Sequence, residues 1–295
     1  MTQGVIIRSL SGFYTVSAEG RQIMCKARGR FRHDGTTPLV GDRVSLAFDE
    51  KGNARVDEIL PLRNRYIRPA VANIDQLVMF ASAVNPVTDP FLIDRVCAIA
   101  ELSDCEPILC INKYDLDRAE ELRAIYENAG FQVVCTSAET GEGVAQLRDL
   151  IAGKVNAFTG NSGVGKSSIL NRLCPELSLQ TGAVSDKLGR GRHTTRHVEL
   201  FDLGDETFVA DTPGFASFEV DLIEPIRCED LQYAFREFRP YLGGCRFQDC
   251  AHLKEPDCSI LQAVQSGEIA PERHRSYARL YETAKKIPEW QKNTK

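Results

Sequence analysis

The segment Gly160-Asn161-Ser162-Gly163-Val164-Gly165-Lys166-Ser167 follows the apolar run Val155–Thr159 and opens an amphipathic stretch, Lys166–Leu173. It satisfies the pattern G-x-x-x-x-G-K-[ST] in a strand–loop–helix context, which is the arrangement that cradles phosphate. The glycines let backbone amides close around a β-phosphate at the positive end of the helix. Lys166 is placed to reach the β- and γ-phosphates and Ser167 to ligate Mg²⁺, and the nucleotide-contacting set runs on to Ser168. Apolar runs alternating with amphipathic stretches, as here, indicate a parallel sheet covered on both faces.

Outward from this loop, the surrounding sequence alternates in the same way. Strands are expected at Gln76–Ser82, Pro107–Asn112 and Gln132–Thr136, with helices at Pro90–Leu102, Asp117–Ala129 and Gly143–Ile151. Upstream, Asn112-Lys113-Tyr114-Asp115 closes one strand and matches N-K-x-D. The Asp115 carboxylate can accept hydrogen bonds from guanine N1 and its exocyclic amine, a donor pair that adenine lacks. Asn112 would tether neighbouring loops, and the stem of Lys113 would lie along the base. Thr136-Ser137-Ala138 ends the next strand, where the Ser137-Ala138 backbone is suited to contact guanine O6.

Downstream, a hairpin is expected over Val198–Leu203 and Thr207–Ala210, leading into Asp211-Thr212-Pro213-Gly214. This matches D-x-x-G, in which the Asp steadies the Mg²⁺ shell and the Gly amide senses the γ-phosphate. Between the phosphate loop and this motif lies the polar loop Gly189–Arg196, where Thr194 or Thr195 supplies a hydroxyl to Mg²⁺; the reading favours Thr195. Phe215 follows Gly214, where many switch GTPases carry a water-orienting Gln. A phenyl ring cannot orient water, so His193 is the candidate for that task, and intrinsic hydrolysis is expected to be slow. The catalytic set is therefore His193, Thr195 and Lys166.

Cys245-x₄-Cys250-x-His252-x₅-Cys258 places three thiolates and an imidazole within a short loop, the donor set of a closed, structural Zn²⁺ site. The seven other cysteines are scattered, mostly in apolar stretches, and read as buried small hydrophobes.

The first 65 residues read as five short strands with closely spaced turns, at Gly4–Leu10, Gly12–Ser17, Arg21–Lys26, Arg43–Phe48 and Ala54–Ile59. That pattern suits an OB-type barrel. Arg21, Lys26, Arg28, Arg30, Phe31 and Arg32 form a basic stretch around an aromatic ring, a composition suited to RNA. Charge is segregated accordingly: residues 1–65 carry 11 Lys/Arg against 7 Asp/Glu, and residues 66–220 carry 13 against 22, within a net charge of −5.

The expected organisation is a barrel over 1–65, an α/β domain over 66–220 and a mainly helical, zinc-binding domain over 221–295. No apolar run approaches the roughly 20 residues of a membrane helix, and the N-terminus lacks a signal pattern, so a cytoplasmic location is expected. Nothing in the sequence calls for an obligate oligomer, and a monomer is expected.

The motifs stand in an unusual order: base-reading motif first, then Thr136-Ser137-Ala138, phosphate loop, switch threonines and Asp211-x-x-Gly214. This order resembles the circularly permuted GTPases. With a barrel before it and the Cys-x₄-Cys-x-His-x₅-Cys finger after it, the chain resembles the RsgA family of small ribosomal subunit-dependent GTPases (YjeQ/YloQ). The resemblance implies GTP hydrolysis stimulated by the small ribosomal subunit, a role late in that subunit's maturation, rRNA contacts from both flanking domains, and a part for His193 in hydrolysis. The alternative is an RNA-binding module that holds GTP as a structural ligand with negligible turnover. Permutation also places the end of the nucleotide domain, after Gly214, directly before the zinc module, which suggests that a shift near Gly214 could move that module.

Overall fold

The computed structural model describes residues 2–29, 31, 36–66, 70–177, 198–211 and 226–286. Five strands form the first unit: β1 (Thr2–Leu10), β2 (Phe13–Ala18), β3 (Arg21–Ala27), β4 (Arg43–Phe48) and β5 (Ala54–Ile59). They close into a barrel in the order β1-β2-β3-β5-β4, with only the β3–β5 pair parallel. Cross-strand pairs Ile6–Val16 and Leu46–Val56 put fully buried branched side chains opposite one another. Such pairs are the unit that stabilises a sheet. The β1–β2 register slips between Ile6 and Arg8, a bulge that breaks the two-residue period. Val5, Ile6 and Ile7 are all buried in one apolar cluster.

A two-stranded ribbon pairs β6 (Arg65–Tyr66) with β7 (Val71–Ala72) between the barrel and the sheet. Beyond it lie β8 (Gln76–Ala81), β9 (Glu106–Ile111), β10 (Gln132–Cys135), β11 (Val155–Gly160), β12 (Leu200–Asp202) and β13 (Phe208–Asp211). They form one sheet in the order β10-β9-β8-β11-β13-β12, parallel except for the edge strand β12. Helices α1 (Pro90–Leu102), α2 (Glu120–Asn128), α3 (Val144–Ile151) and α4 (Lys166–Leu173) cover it. Strand side chains alternate between the two faces. Leu77, Met79, Leu109 and Ala157 join an apolar cluster with Ile93, Val96 and Tyr126 of α1 and α2. Val78, Phe80, Ile108 and Phe158 instead join Leu147, Ile151, Ile169 and Leu170 of α3 and α4. The first cluster also includes Ile6, Val44 and Leu46, so one apolar core runs continuously from the barrel into the sheet.

Helix starts follow local chemistry. Asp89 caps α1, its carboxylate accepting from Phe91 N at 2.9 Å ahead of Pro90. Asp117, read from sequence as the first residue of a helix, instead accepts from Ala119 N at 2.7 Å in a turn, so α2 opens at Glu120.

The last described unit holds α5 (Cys228–Leu231), two short 3₁₀ turns (Gln232–Ala234 and Arg236–Tyr241), α6 (Ser259–Ser266) and α7 (Pro271–Lys285). Its core is aromatic, built from Phe235, Phe238 and Tyr277. It is fastened to the sheet domain by Arg273 of α7, whose side chain is 1% exposed. Arg273 Nη1 donates to Asp94 of α1 at 2.5 Å, and its Nε and Nη2 donate to Glu237 at 2.6 and 3.1 Å. Arg236 adds bonds to Glu101, Glu106 and the Gly130 carbonyl.

Candidate functional site

Four of the parallel strands end in a segment that carries candidate chemistry. β9 runs into Asn112–Asp115, β10 into Thr136–Ala138, β11 into the glycine-rich loop, and β13 ends on Asp211. Parallel strands share one C-terminal edge, so segments up to about a hundred residues apart in sequence meet there, as ligand sites in such sheets do.

Asn112 is the junction of this edge, with 2% of its surface exposed. Its Nδ2 donates to the Val164 carbonyl in the glycine-rich loop at 2.8 Å. Its Oδ1 accepts from Thr136 Oγ1 at 3.1 Å and from the Ala138 amide at 3.3 Å. One side chain thereby holds the base-motif loop, the Ser137-Ala138 loop and the phosphate loop in fixed relation. Asp115, three residues on, is exposed at the mouth of this edge.

Two glycines of the loop are required by close approach. Gly160 has φ 138° and its missing side chain would run into the Phe80 carbonyl; Gly165 has φ 101° and would run into the Asn112 amide. An L side chain is strained in such a backbone even where there is room. Lys166 Nζ donates to the carbonyls of Gly160 and Asn161 at 2.6 and 3.0 Å, which holds the ammonium across the concave side of the loop. Ser167 and Ser168 lie half-buried in the first turn of α4, while Ser162 and Gly163 are exposed.

Two supports escape a motif reading. Arg172 of α4 donates from Nε to the Ala138 carbonyl at 2.8 Å and from Nη2 to that of Glu139 at 2.5 Å, tying the phosphate-loop helix to the Ser137-Ala138 loop. The Asn85 carbonyl accepts from Lys113 Nζ at 2.6 Å, and the Pro86 ring faces Gly163, so the loop after β8 forms a wall of the same site. An arginine in a helix and an Asn-Pro in a turn have no spacing signature, so only packing reveals them.

The candidate metal ligands also converge. Donor atoms of Cys245, Cys250, His252 and Cys258 all lie within 4.8 Å of one another, and the cluster could hold one metal ion. Cys245 Sγ is 3.8 Å from Cys258 Sγ and 3.5 Å from His252 Nδ1, which is 3.4 Å from Cys258 Sγ. His252 Nε2 faces Gln232 Oε1 at 3.0 Å, so Nε2 carries the proton and Nδ1 is left to ligate. Burial lowers the pKa of His252, keeping the ring neutral as a ligand must be. Burial likewise pushes the Cys250 thiol up to about 12, a penalty on thiolate that a bound cation would reverse. From α7, Tyr277 OH donates to the Ala251 carbonyl at 3.0 Å and His274 Nε2 sits 2.7 Å from the His252 carbonyl, bracing the loop.

A family model described as RsgA GTPase matches residues 59–221, and another described as RsgA N-terminal domain matches residues 3–56. The chain belongs to the RsgA GTPase family. Among its relatives, the small ribosomal subunit biogenesis GTPase RsgA of Caldanaerobacter subterraneus subsp. tengcongensis is 42% identical over 286 residues, 96% of each chain. The RsgA of Geobacillus thermodenitrificans is 42% identical over 283 residues, covering 94% of this chain and 95% of its own. The crystal structure of YjeQ from Thermotoga maritima superposes with TM-score 0.83 at 35% identity, covering 97% of this chain and 99% of that one. YloQ, described as a circularly permuted GTPase, superposes with TM-score 0.82 at 36% identity, covering 98% and 97%.

Within this RsgA-family chain, His193, Thr194, Thr195 and Gly214 lie outside the described residues, as do Arg30 and Arg32, and Asp211 is described only as the last residue of β13. On the barrel, the structure corrects one expectation. Phe31 is buried in the core that joins barrel and sheet, so its ring is not presented for base stacking. Exposed rings on the barrel are instead Phe13, with Lys26 Nζ 4.9 Å from its centroid, and Phe48 of β4, and Met24 is exposed on β3. Arg21 is exposed at the start of β3, whereas Arg28 is paired with Asp57 at 2.9 Å. No helix among the described residues is long and apolar enough to cross a membrane.

Proposed function

We propose that this chain binds GTP at the C-terminal edge of its sheet and hydrolyses it to GDP and phosphate, stimulated by the small ribosomal subunit during late maturation of that subunit. The bonding of Asn112 to the phosphate loop, the Thr136 hydroxyl and the Ala138 amide carries the reading, because it joins base-reading and phosphate-binding segments into one cradle. The names of the relatives, small ribosomal subunit biogenesis GTPases, support the partner and the process.

In this reading Lys113, Asp115, Ser137 and Ala138 take the guanine, with Asn112 holding their loops. Backbone amides of Gly160 to Ser168 take the phosphates, and Lys166 takes the β/γ bridge. Ser167, Thr195 or Thr194, and Asp211 would hold Mg²⁺, which neutralises charge on the transferring phosphoryl group. The Gly214 amide senses the γ-phosphate and His193 orients the attacking water. Residues 1–65 serve as the RNA-binding barrel, 66–220 as the GTPase domain and 221–295 as the metal-bearing domain of a monomeric cytoplasmic protein.

Zinc is the ion the cluster suits. A tetrahedral zinc with bonds of about 2.3 Å to sulfur and about 2.05 Å to nitrogen sets ligand separations near 3.8 Å for S···S and about 3.5 Å for S···N. The separations among Cys245, His252 and Cys258, 3.8, 3.5 and 3.4 Å, support that ion, with Cys250 within 4.8 Å of each. With four protein donors the coordination is closed, so the ion is structural.

The test is steady-state GTP turnover with and without purified small ribosomal subunits, with Lys166→Ala as the blank. Stimulation absent from the blank supports the proposal; turnover at blank level in the presence of subunits overturns it.

A further inference from the structure

The two flanking units are attached to the sheet in different ways. The C-terminal unit grips Asp94 and Glu101 of α1, Glu106 at the first position of β9, and Gly130 beyond α2. Glu106 and Gly130 lie at the strand starts, the end of the sheet opposite the nucleotide edge. The Arg273–Asp94–Glu237 cluster is desolvated and stacked on Tyr126, Phe131 and Phe235. Breaking it would strand buried charge, so this attachment favours a fixed seat over a moving one.

The barrel instead touches β12. Arg8 of β1 and Glu199, the residue before β12, form an isolated antiparallel bridge, and their side chains pair. Ser17 of β2, itself 8% exposed, donates from Oγ to Asp202 Oδ2 at 2.7 Å. Leu200 and Phe208 sit in the same apolar cluster as Ile6 and Ile7. β12 in turn pairs with β13, Leu200 opposite Ala210, one residue before Asp211. β13 pairs with β11, Asp211 opposite Phe158, two residues before Gly160. The barrel is thus bonded to the edge strand β12 at Asp202 and to Glu199 just before it, and β12 in turn pairs with the strand that ends on Asp211.

We infer that this seam is a positioning device for the hydrolytic site: Arg8 and Ser17 hold β12, and through β13 they set the Mg²⁺ side of the site, so that engagement of the barrel is felt in metal handling and kcat rather than in base recognition. The inference rests on the reading of Asp211 as a Mg²⁺-side residue. Arg8, Ser17, Glu199 and Asp202 act through β13 and touch no nucleotide. Ligand-driven movement propagates through elements that both sites bias, and β12 is bonded to the barrel on one side and to β13 on the other.

The experiment uses the full chain and the variants Arg8→Glu, Glu199→Arg, their double swap, and Ser17→Ala. Turnover is measured across a Mg²⁺ titration, with and without small subunits, alongside GDP affinity in Mg²⁺-free buffer. Each single charge reversal is expected to raise the half-saturating Mg²⁺ concentration about fivefold, the scale of one exposed ion pair. Mg²⁺-free GDP affinity stays within about twofold, and the double swap recovers the wild-type Mg²⁺ dependence. Ser17→Ala shifts Mg²⁺ dependence in the same direction. Unchanged singles, a double swap that fails to recover, or a parallel loss of GDP affinity would each overturn the seam. A wild type with no GTP turnover at all would remove the functional reading itself, a result separable from wild-type turnover with unaffected variants.

Discussion

Asn112→Ala gives the sharpest test of the cradle. The truncation removes three hydrogen bonds at once, of 2.8, 3.1 and 3.3 Å, made by a side chain that is itself buried. The three partners differ in what they lose. Thr136 Oγ1 keeps a contact with Cys110 Sγ at 3.3 Å, and the Ala138 amide is half-buried and can recruit water. The Val164 carbonyl lies in a buried residue and is left without its donor. An orphaned buried acceptor costs about 1–3 kcal/mol, and the remaining bonds contribute about 1 kcal/mol more. A total of about 2–4 kcal/mol corresponds to a loss of about 30- to 1000-fold if all of it falls on nucleotide binding. Because Asn112 supports loops rather than the γ-phosphate, GTP and GDP affinities should fall together. Asn112→Asp is an informative companion: it keeps the acceptor for Ala138 and Thr136 but sets a carboxylate oxygen against the Val164 carbonyl, so it should bind no better than the alanine variant. Fluorescent GTP and GDP titrations, with thermal unfolding to confirm the fold, decide the matter. A loss under about fivefold, or one that separates GTP from GDP by more than about threefold, would refute the role given to Asn112.

Replacing Cys258 with Ser should abolish metal uptake by the cluster, measured by elemental analysis, and lower the unfolding temperature of the metal-loaded chain, because the proposed ion would tie the loop 245–258 together. Arg273→Ala leaves Asp94 and Glu237 buried without a cation and should destabilise the chain by about 3–5 kcal/mol in urea titration, whereas Asp94→Asn together with Arg273→Met should cost less. Burial pushes Cys97, Cys105 and Cys110 up to about 12, and since burial penalises the thiolate, these three should stay unlabelled by maleimide at about pH 9 until denaturant is added. Asp115→Asn replaces an acceptor with a donor opposite guanine's N1 and amine, so it should cut affinity for guanine nucleotides while raising it for xanthine nucleotides, in competition binding.

How much of this is legible in the sequence depends on the range of the physics involved. Gly160 to Ser167 encode a backbone path, and a backbone path is local, so the residues of the loop suffice to place it. The same holds for the five barrel strands, whose turns sit between them, and for the four candidate metal ligands, which share one short loop. The permuted order is legible too, because order is a property of the chain itself. What the sequence does not display is which remote surfaces meet. Arg172 reaches Ala138, Gln232 reaches His252, and Arg273 reaches Asp94 across 179 residues. None of these has a spacing to read, because their partners are set by the packing of whole helices. The fate of Phe31 makes the same point: an aromatic amid arginines suggests an exposed face, yet the core between barrel and sheet claims the ring. The chain's own order suggests that the C-terminal unit follows the nucleotide domain's movement, being next in line after Gly214. Tertiary structure shows that unit seated on buried charge at the far end of the sheet and the barrel bonded to the edge strand β12, contacts made by desolvated ion pairs and hydrogen-bonded edges that sequence proximity does not display.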